Sequence, residues 1–514
     1  MAMRIGLDPL FLDVASSIAG RCAGGPVKVS VFGSALFGML SGSSVVNAVT
    51  VGSLTLPAMI RVGYRREFAA AVEAASSTGG QITPPVQGAA AFLMIEFLAV
   101  PYQTIIVAAT VPAFMHFFGV FMQVHFEAKR FGLRGLTEDE MPRLRQSLRE
   151  RWPTLIPLAL LIFVLVSGRT PYLAALCGIS SCAIVGLSTR VAGNRPANWA
   201  LLVGLHAVLG GRVFGGLQHE GVKLAVFAGG VLVAVLVAVL AIRLGGVTGR
   251  IAPAVLLEAF ETGAKYALAV GAAAASVGLV IGVVTLTGVG FKRSTIITGA
   301  ANAMGSGVGT WLPAEWVAPA TLALLVALVM TGLVCFLLGC GIPTTANYII
   351  MVTVAAPTLV LMGVEPLVAH FFVFYCGVLA DITPPVALAA YAAAGMAGSD
   401  PFKTGNMAFR LGLAKALVPF VFVFSPSLLL VAKGFTWYDF SVTFIGCILG
   451  ISLLAAALSK FLLVEMRRWE QLLCGLGALL MVVPGLISTL IGAAVAAPVL
   501  LHQWAGWRKA AVRA

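Results

Sequence analysis

The chain carries one proline-containing hexapeptide twice, as Gln81-Ile82-Thr83-Pro84-Pro85-Val86 and as Asp381-Ile382-Thr383-Pro384-Pro385-Val386. Working outward, 11 residues between positions 47 and 90 recur 300 positions later without a gap, and five of them are consecutive. A consecutive match that contains two prolines indicates an internal duplication rather than chance. A duplicated helix pair with no part in transport is the alternative interpretation.

The composition places this duplication in a membrane. The 514 residues are 60% hydrophobic and only 10% charged, with a mean hydropathy of +1.00. Stretches of about 18 or more apolar residues, each long enough to cross roughly 30 Å of hydrocarbon, recur along the chain. The net charge of +13 comes mostly from short basic connections, which excludes a nucleic-acid partner and follows the positive-inside pattern. The clearest stretches are Gln103–Val124, Leu224–Ile242, Tyr266–Val289, Pro319–Leu338, Leu411–Val431 and Phe440–Ser459.

Each copy begins with a polar, glycine- or proline-broken run inside an apolar stretch. The runs are Ser41–Asn47 and Gly339–Asn347. Neither makes a good continuous helix, since an interior glycine costs about 1 kcal/mol and a proline about 3 kcal/mol relative to alanine. We expect two re-entrant helical hairpins with arms of about 12–16 residues, because irregular backbone at membrane depth lies inside protein or lines a wet cavity.

The second unusual part of each copy is the Thr-Pro-Pro break. Two prolines remove two backbone donors, so the long helix should unwind at Thr83-Pro84-Pro85 and at Thr383-Pro384-Pro385. Carbonyl and hydroxyl oxygens gathered there form the environment that a small hard cation prefers. We expect each hairpin tip to lie against its own break, giving two related cation sites; two structural kinks are the alternative.

Charge predicts that the two copies are inverted. The loop at 127–151 is rich in arginine and is the best candidate for a cytoplasmic loop, which places Arg61, Arg65 and Arg66 on the same side. In the second copy the equivalent end has no base, and the far end is followed by Lys403, Arg410 and Lys415. Inverted repeats of this kind are typical of secondary transporters.

Ionisable residues inside apolar segments are costly and therefore informative. Asp381 stands beside the second break, where the first copy has Gln81; it can bind a cation, pair with a base, carry a proton or cap a half-helix. For Glu73, the alternative to a functional role is that of a buried structural partner. For Glu96 the alternative is a position at the membrane interface, and for His370 it is a packing role rather than that of a proton relay.

At these residues the sequence resembles the large membrane subunit of tripartite ATP-independent periplasmic (TRAP) transporters, specifically the fused permeases of the TAXI branch. The resemblance runs from about residue 20 to beyond 430. The stretches that carry it are Ala35–Ser44, Ala71–Gln81, Val124–Lys129 and Gly341–Tyr348.

The resemblance implies an all-α polytopic fold with an elevator mechanism, in which a transport domain of two hairpins and two broken helices slides against a scaffold. It also implies Na⁺ as the coupling ion, with H⁺ as the alternative, and solute held between the hairpin tips. By motif position, the first Na⁺ region is Ser43, Ser44, Asn47, Thr83 and Pro84, the second is Thr344, Thr345, Asn347, Thr383 and Pro384, and the substrate residues are Ser41, Gly42, Gly341, Pro343 and Asp381.

The resemblance further implies a bacterial inner-membrane location, a periplasmic solute-binding protein and an organic-acid solute. Because fused TAXI permeases have further helices ahead of the first hairpin, we expect a small membrane subunit or those helices as a partner. The predicted organisation is an N-terminal stub (1–26), first repeat (27–126), cytoplasmic loop (127–151), scaffold helices (152–262), second half with the second repeat (263–410) and C-terminal transmembrane helices (411–514).

Two other classes of protein compete with a transporter. A truncated, non-transporting scaffold is favoured by the short N-terminus. An intramembrane enzyme is disfavoured because the sequence has no HExxH motif and little acidic chemistry in its apolar segments, and no GxxxxGK[ST] phosphate loop indicates an ATPase. We therefore expect a membrane permease that is not an enzyme.

Overall fold

The computed structural model describes residues 5–188, 253–287, 299–300, 303–304, 318–342 and 344–513. Its described part is helical, with no β-strand among these residues beyond one isolated bridge. The α-helices are α1 Leu7–Ala19, α2 Gly25–Ser41, α3 Ser44–Arg61, α4 Arg66–Gly80, α5 Ala89–Leu98, α6 Tyr102–Arg130, α7 Leu144–Arg151, α8 Ile156–Val166, α9 Pro171–Ser188, α10 Pro253–Thr287, α11 Pro319–Gly339, α12 Thr344–Val354, α13 Ala356–Leu361, α14 Pro366–Leu379, α15 Leu388–Ala397, α16 Pro401–Leu411, α17 Leu413–Phe424, α18 Trp437–Ser459, α19 Arg468–Val482 and α20 Leu486–Arg513.

Six helical segments of the described chain are long and apolar enough to cross a membrane. The fold is therefore that of an all-α, multi-pass membrane protein, as predicted. Of the predicted stretches, Leu411–Val431 is interrupted, since α17 ends at Phe424, and Leu224–Ile242 lies outside the described residues. The six segments are Tyr102–Arg130, Pro319–Gly339, Thr344–Leu361, Pro401–Phe424, Trp437–Ser459 and Leu486–Lys509.

Both polar runs form the tips of helical hairpins. Hairpin 1 consists of α2 and α3, which turn at Gly42 in the left-handed region (φ 61°). The Ser43 side chain then accepts a hydrogen bond from Val46 N and caps α3. Hairpin 2 consists of α11, α12 and α13, and turns at Cys340–Ile342.

The hairpin arms are longer than predicted. They measure 17 and 18 residues in hairpin 1, against the expected 12–16. In hairpin 2 the first arm, α11, has 21 residues, and the second, return arm, Thr344–Leu361, has 18. The estimate was wrong because it ended each arm at the first polar residue, whereas the helices continue through residues such as Ser41 and Asn47.

Both Thr-Pro-Pro segments interrupt a helix, as predicted. Broken helix 1 is α4, the non-helical segment 81–88, and α5. Broken helix 2 is α14, a short 3₁₀ turn over Ala380–Ile382, the non-helical segment 383–387, and α15. Each proline pair is joined by a cis peptide bond.

The described chain divides into two compact units. The first comprises Met1–Val14 and Pro142–Ala269; in it α8 packs against α9, and Arg151 Nη1 lies 3.4 Å from Asp13 Oδ2. The second comprises Ala15–Met141 and Val270–Ala514 and contains both hairpins and both broken helices.

Within the second unit the two copies interlock. The second half of broken helix 2, α15, packs on α3 and α4 of the first copy. The second half of broken helix 1, α5, packs reciprocally on α12 and α14 of the second copy. Reciprocal contacts between equivalent elements are what an approximate twofold axis produces. The C-terminal helices α18, α19 and α20 pack in sequence, and α18 also contacts α6.

Candidate functional site

Each hairpin tip lies against its own helix break, as predicted. A Cβ atom added at Gly42 would lie 3.5 Å from Gln87 O and 3.6 Å from Gly88 Cα. In the second copy, a Cβ atom at Gly341 would lie 3.4 Å from Val386 Cγ1. Further down hairpin 1, a Cβ atom at Gly38 would overlap the Cα atom of α4 that faces it, so the two backbones are in direct contact there.

The two threonines of the breaks have the same role in both copies. Thr83 Oγ1 donates to Gly79 O, and Thr383 Oγ1 donates to Leu379 O, each at 2.8 Å. The hydroxyl hydrogens therefore cap carbonyls at the end of the helix, while the hydroxyl oxygens keep lone pairs for another ligand. The carbonyl of Gln81, which Pro85 leaves without a helical donor, accepts instead from Gly88 N at 2.7 Å.

The two equivalent asparagines are buried in the same orientation. Asn47 Nδ2 donates to Ser34 O at 3.0 Å and to Ser77 O at 3.4 Å. Asn347 Nδ2 donates to Gly377 O at 3.3 Å, and residue 377 is the counterpart of residue 77. These donor bonds fix which end of each amide is oxygen. Both Oδ1 atoms are buried and have no hydrogen-bond partner among the described residues.

Asp381 joins the two predicted Na⁺ regions. Its Oδ2 atom accepts from Ser44 Oγ at 2.6 Å, from Thr344 Oγ1 at 3.2 Å and from Gln81 Nε2 at 3.2 Å. Ser44 and Thr344 are equivalent residues of the two hairpins, and Gln81 and Asp381 are equivalent residues of the two breaks. Contact between equivalent residues places this carboxyl at the approximate twofold axis.

Lys415 is also a neighbour of this site, which corrects a prediction. The sequence places it in the positively charged region beyond the second copy, but it is fully buried in α17. Its Nζ donates to Thr78 O at 3.3 Å, and it lies within electrostatic range of Asp381, although these two described side chains form no ion pair of 4 Å or less. The hydrophobic periodicity and the hydropathy of the sequence did not indicate that Lys415 is buried, because the lysine has apolar neighbours on both sides.

The remaining predicted residues lie around this centre with weaker contacts. Ser41 Oγ donates to Ser43 O at 3.4 Å. Thr345 is half-buried, and so are both Pro84 and Pro384. Pro343 lies outside the described residues.

Two of the other ionisable residues are set apart from the breaks. Glu96 is exposed on α5. His370 Nδ1 lies 2.8 Å from the hydroxyl of Tyr348, which supports its packing role. Glu73 is fully buried, as its structural alternative required.

Two hairpins and two broken helices, joined at a buried carboxyl on a twofold axis, define the membrane component of a transporter. The family model described as "Tripartite ATP-independent periplasmic transporter, DctM component" matches residues 1–203 and 196–437. The chain therefore belongs to this family of TRAP transporter large permeases. The family is one of transporter components, which agrees with the expectation that the chain is not an enzyme.

Individual relatives match over shorter lengths. The C4-dicarboxylate TRAP transporter large permease protein DctM of Rhodobacter capsulatus is 35% identical over 80 residues, which are 16% of this chain and 18% of the relative. The sialic acid TRAP transporter large permease protein SiaM of Vibrio cholerae is 25% identical over 187 residues, 36% of this chain and 43% of the relative. The isethionate TRAP transporter permease protein DctMQ of Oleidesulfovibrio alaskensis is 35% identical over 80 residues, 16% of this chain and 13% of the relative. Each match thus spans less than half of the relative.

Proposed function

We propose that the chain is the permease of a Na⁺-coupled importer that takes up small organic anions across a bacterial inner membrane. The observation that carries the proposal is the pair of equivalent asparagines. Asn47 Oδ1 and Asn347 Oδ1 are buried acceptors without partners. A buried polar atom left unpaired costs about 1–3 kcal/mol, so two such atoms at equivalent positions beside two helix breaks need a ligand.

A small hard cation is the ligand that fits these atoms. Each asparagine lies about one turn after a hairpin tip, and the threonine hydroxyl of each helix break points its hydrogen to the backbone. Amide and hydroxyl oxygens are hard, neutral donors, which suit a monovalent cation that must bind and leave. The first site would use Ser43, Ser44, Asn47, Thr83 and Pro84, and the second Thr344, Thr345, Asn347, Thr383 and Pro384.

The solute is proposed to lie between the two tips, against Ser41, Gly42, Gly341 and Pro343. Asp381 holds the first residues of both return arms through Ser44 and Thr344, so it senses whether the tips are together or apart. The relatives' names specify a C4-dicarboxylate, sialic acid and isethionate, all of which are anions at neutral pH. We propose an organic acid of this kind as the solute.

The proposed machinery includes two partners. A periplasmic binding protein delivers the solute, and a small membrane subunit, separate or fused, completes the scaffold. The hairpins and broken helices move together as an elevator against that scaffold. One charge that crosses a potential of about 100 mV supplies about 2.3 kcal/mol, so two coupled cations can concentrate a solute without ATP.

The proposal is tested by uptake into proteoliposomes that contain the chain, a small membrane subunit and a cognate binding protein. Radiolabelled succinate, sialic acid and isethionate are offered under an inward Na⁺ gradient, with K⁺ as the comparison. We expect Na⁺-dependent uptake that falls at least tenfold in the double variant Asn47→Ala/Asn347→Ala. The matched control is Asn406→Ala, at an exposed asparagine of α16, and it should transport normally.

Uptake that proceeds equally well in K⁺, and is unaffected by the double variant, would refute the cation sites. Absence of uptake for every solute, together with no Na⁺-dependent rise in melting temperature of the purified protein, would favour the non-transporting scaffold. A bound ion stabilises the folded state by RT ln(1 + [L]/Kd), about 2.7 kcal/mol at 100 times Kd, so the melting experiment detects binding without partners.

A further inference from the structure

A second buried carboxyl, on α4, lies between the two arms of hairpin 1. Glu73 on α4 is 0% exposed, and hydroxyl groups from α2, from α3 and from α4 itself surround its carboxyl. Its Oε2 atom lies 2.6 Å from Ser30 Oγ and 2.6 Å from Thr55 Oγ1. Its Oε1 atom lies 3.0 Å from Ser34 Oγ and 3.4 Å from Ser77 Oγ. The carboxyl therefore connects both arms of the hairpin to α4.

No basic side chain pairs with this carboxyl among the residues that the structure describes. Lys28, the base of α2, has its Nζ 2.9 Å from His125 Nδ1, and His116 Nε2 is 3.1 Å from Ala75 O. None of the titratable groups on the elements that pack against α4 forms an ion pair with Glu73 within the described part of the chain. These groups are Lys28 on α2, Arg61 on α3, Tyr102, His116, His125, Glu127, Lys129 and Arg130 on α6, Asp381 on the 3₁₀ turn, Tyr391 on α15, Lys403 and Arg410 on α16, and Lys415 on α17, whose Nζ donates to Thr78 O of α4.

The hydrogen bonds around Glu73 can be assigned in two ways, one for each protonation state of the carboxyl. The Thr55 hydroxyl has one hydrogen but two partners, Glu73 Oε2 at 2.6 Å and Val51 O at 3.0 Å. If the carboxyl is ionised, Thr55 donates to it. If the carboxyl is protonated, it donates to Thr55, whose own hydrogen turns to Val51 O. The same heavy-atom positions thus accommodate Glu73 with and without a proton.

A metal ion does not fit in the place of this proton. Oxygen pairs at 2.6 Å are at the short end of direct O–H···O hydrogen bonds, and a cation between them would have to push both oxygens apart. The pocket is also shaped for the side chain itself, since a Cβ atom at Gly52 of α3 would lie 3.1 Å from Glu73 Cγ. The chemistry of the pocket is therefore that of a proton site.

The second copy shows that hairpin packing does not require this carboxyl. At the fixed offset of 300, Val373 stands in place of Glu73, Ala355 in place of Thr55 and Gly377 in place of Ser77. Hairpin 2 and broken helix 2 pack against each other with these apolar residues. Burial of a charge costs several kcal/mol even after relaxation, so a purely structural role is better filled by the apolar set.

Two residues connect this pocket to Asn47 of the first proposed cation site without belonging to that site. Ser34 offers its hydroxyl to Glu73 and its carbonyl to Asn47 Nδ2. Ser77 does the same, with its hydroxyl near Glu73 and its carbonyl near Asn47. A change in the charge of Glu73 therefore reaches Asn47 through one residue on α2 and one on α4.

We propose that Glu73 is a proton-binding site of the first copy, and that its occupancy is linked to the cation that binds beside Asn47. The linkage rests on the proposed function; the proton site itself does not. A proton from water binds the Glu73 carboxylate, and the Thr55 hydroxyl reorients to Val51 O. Binding of the proton weakens binding of the cation, because both add positive charge to one shared set of groups. By thermodynamic linkage, binding of the cation weakens binding of the proton by the same factor.

The proton site is tested by infrared difference spectroscopy of the purified protein as the pH is changed. We expect a carbonyl stretch from a protonated carboxyl that disappears in Glu73→Gln and remains in Glu96→Gln, whose carboxyl is exposed on α5. Thr55→Ala introduces the residue that the second copy has, removes the hydroxyl partner and should move the band to higher frequency. If Glu73→Gln does not fold, the shift of the carbonyl band in Thr55→Ala tests the proposal instead. A spectrum that neither folded variant changes would overturn the proposal.

The linkage is tested by Na⁺ titrations of the melting temperature at several pH values and constant ionic strength. As the pH falls through the range in which Glu73 takes up its proton, the apparent Kd for Na⁺ should rise, by at most about tenfold for each pH unit. In Glu73→Gln it should not depend on pH. Equal pH dependence in wild type and Glu73→Gln would overturn the linkage, whereas failure of the proposed function would appear as no Na⁺ response at any pH.

Discussion

Replacement of Asp381 by asparagine tests whether the two copies are held together by charge at their axis. The asparagine oxygen can occupy the place of Oδ2 and still accept from Ser44, Gln81 and Thr344. Hydrogen bonds to a charged group contribute about 1.5–3 kcal/mol and neutral ones about 0.5–1.5 kcal/mol, so each bond weakens by about 1–1.5 kcal/mol. Summed over three bonds, the free energy of unfolding should fall by about 3–5 kcal/mol.

A double-mutant cycle with Lys415 sharpens this prediction. Asp381→Asn leaves the buried Lys415 without the nearby opposite charge, so Lys415→Met should cost less in the Asp381→Asn background than in wild type. The unfolding free energies are measured by reversible denaturation in mixed micelles, with the exposed Asp139→Asn as control. A loss below 1 kcal/mol for Asp381→Asn, or strict additivity in the cycle, would contradict the argument.

Two further predictions concern the C-terminal helices and the loop after α6. In α19, Gly477→Ala should destabilise the protein by about 1–3 kcal/mol, because the new Cβ would lie 2.9 Å from a carbonyl oxygen of α20. The control is Gly475→Ala, whose new Cβ meets open space, and this variant should have the same or a higher melting temperature. In the loop, the hydrogen bond from Arg134 lowers the pKa of Glu140 from 4.5 to about 2. The loop contacts of Glu140 are therefore complete above pH 4.5 and lost as the pH falls toward 2, and hydrogen exchange of the Thr137 amide, which donates to Glu140, should show the loss. In Arg134→Gln the loss should begin at higher pH; an unchanged profile would contradict this assignment.

The helix breaks were predictable because their cause is local. Proline lacks a backbone donor, and two in succession interrupt a helix wherever the chain places them. The hairpin tips followed from the same kind of reasoning at Gly42 and Gly341. The duplication was visible for a further reason: Asn47 and Asn347 keep one spacing from their breaks, which a fixed offset detects.

The contacts between the copies were not predictable in this way. The sequence assigned Ser44 and Thr344 to separate cation regions, whereas both hydroxyls contact Asp381. Which residues meet at an axis depends on how two distant segments pack, and no local pattern records it. Lys415 was missed for the same reason: a lysine near a helix start is usually at a surface, and only the packing of α17 buries it.

The exchange of half-helices between the copies has a consequence for synthesis. The surface of α3 and α4 that α15 covers is made early, but α15 ends only at Ala397. Roughly 300 residues separate them, which takes about 15–60 s at typical ribosomal speeds of 5–20 residues per second. The nascent first copy must therefore wait in the bilayer with an uncovered, small-residue surface. Cleavage of the gene between the copies should yield two fragments that are degraded alone and rescued only when they are produced together.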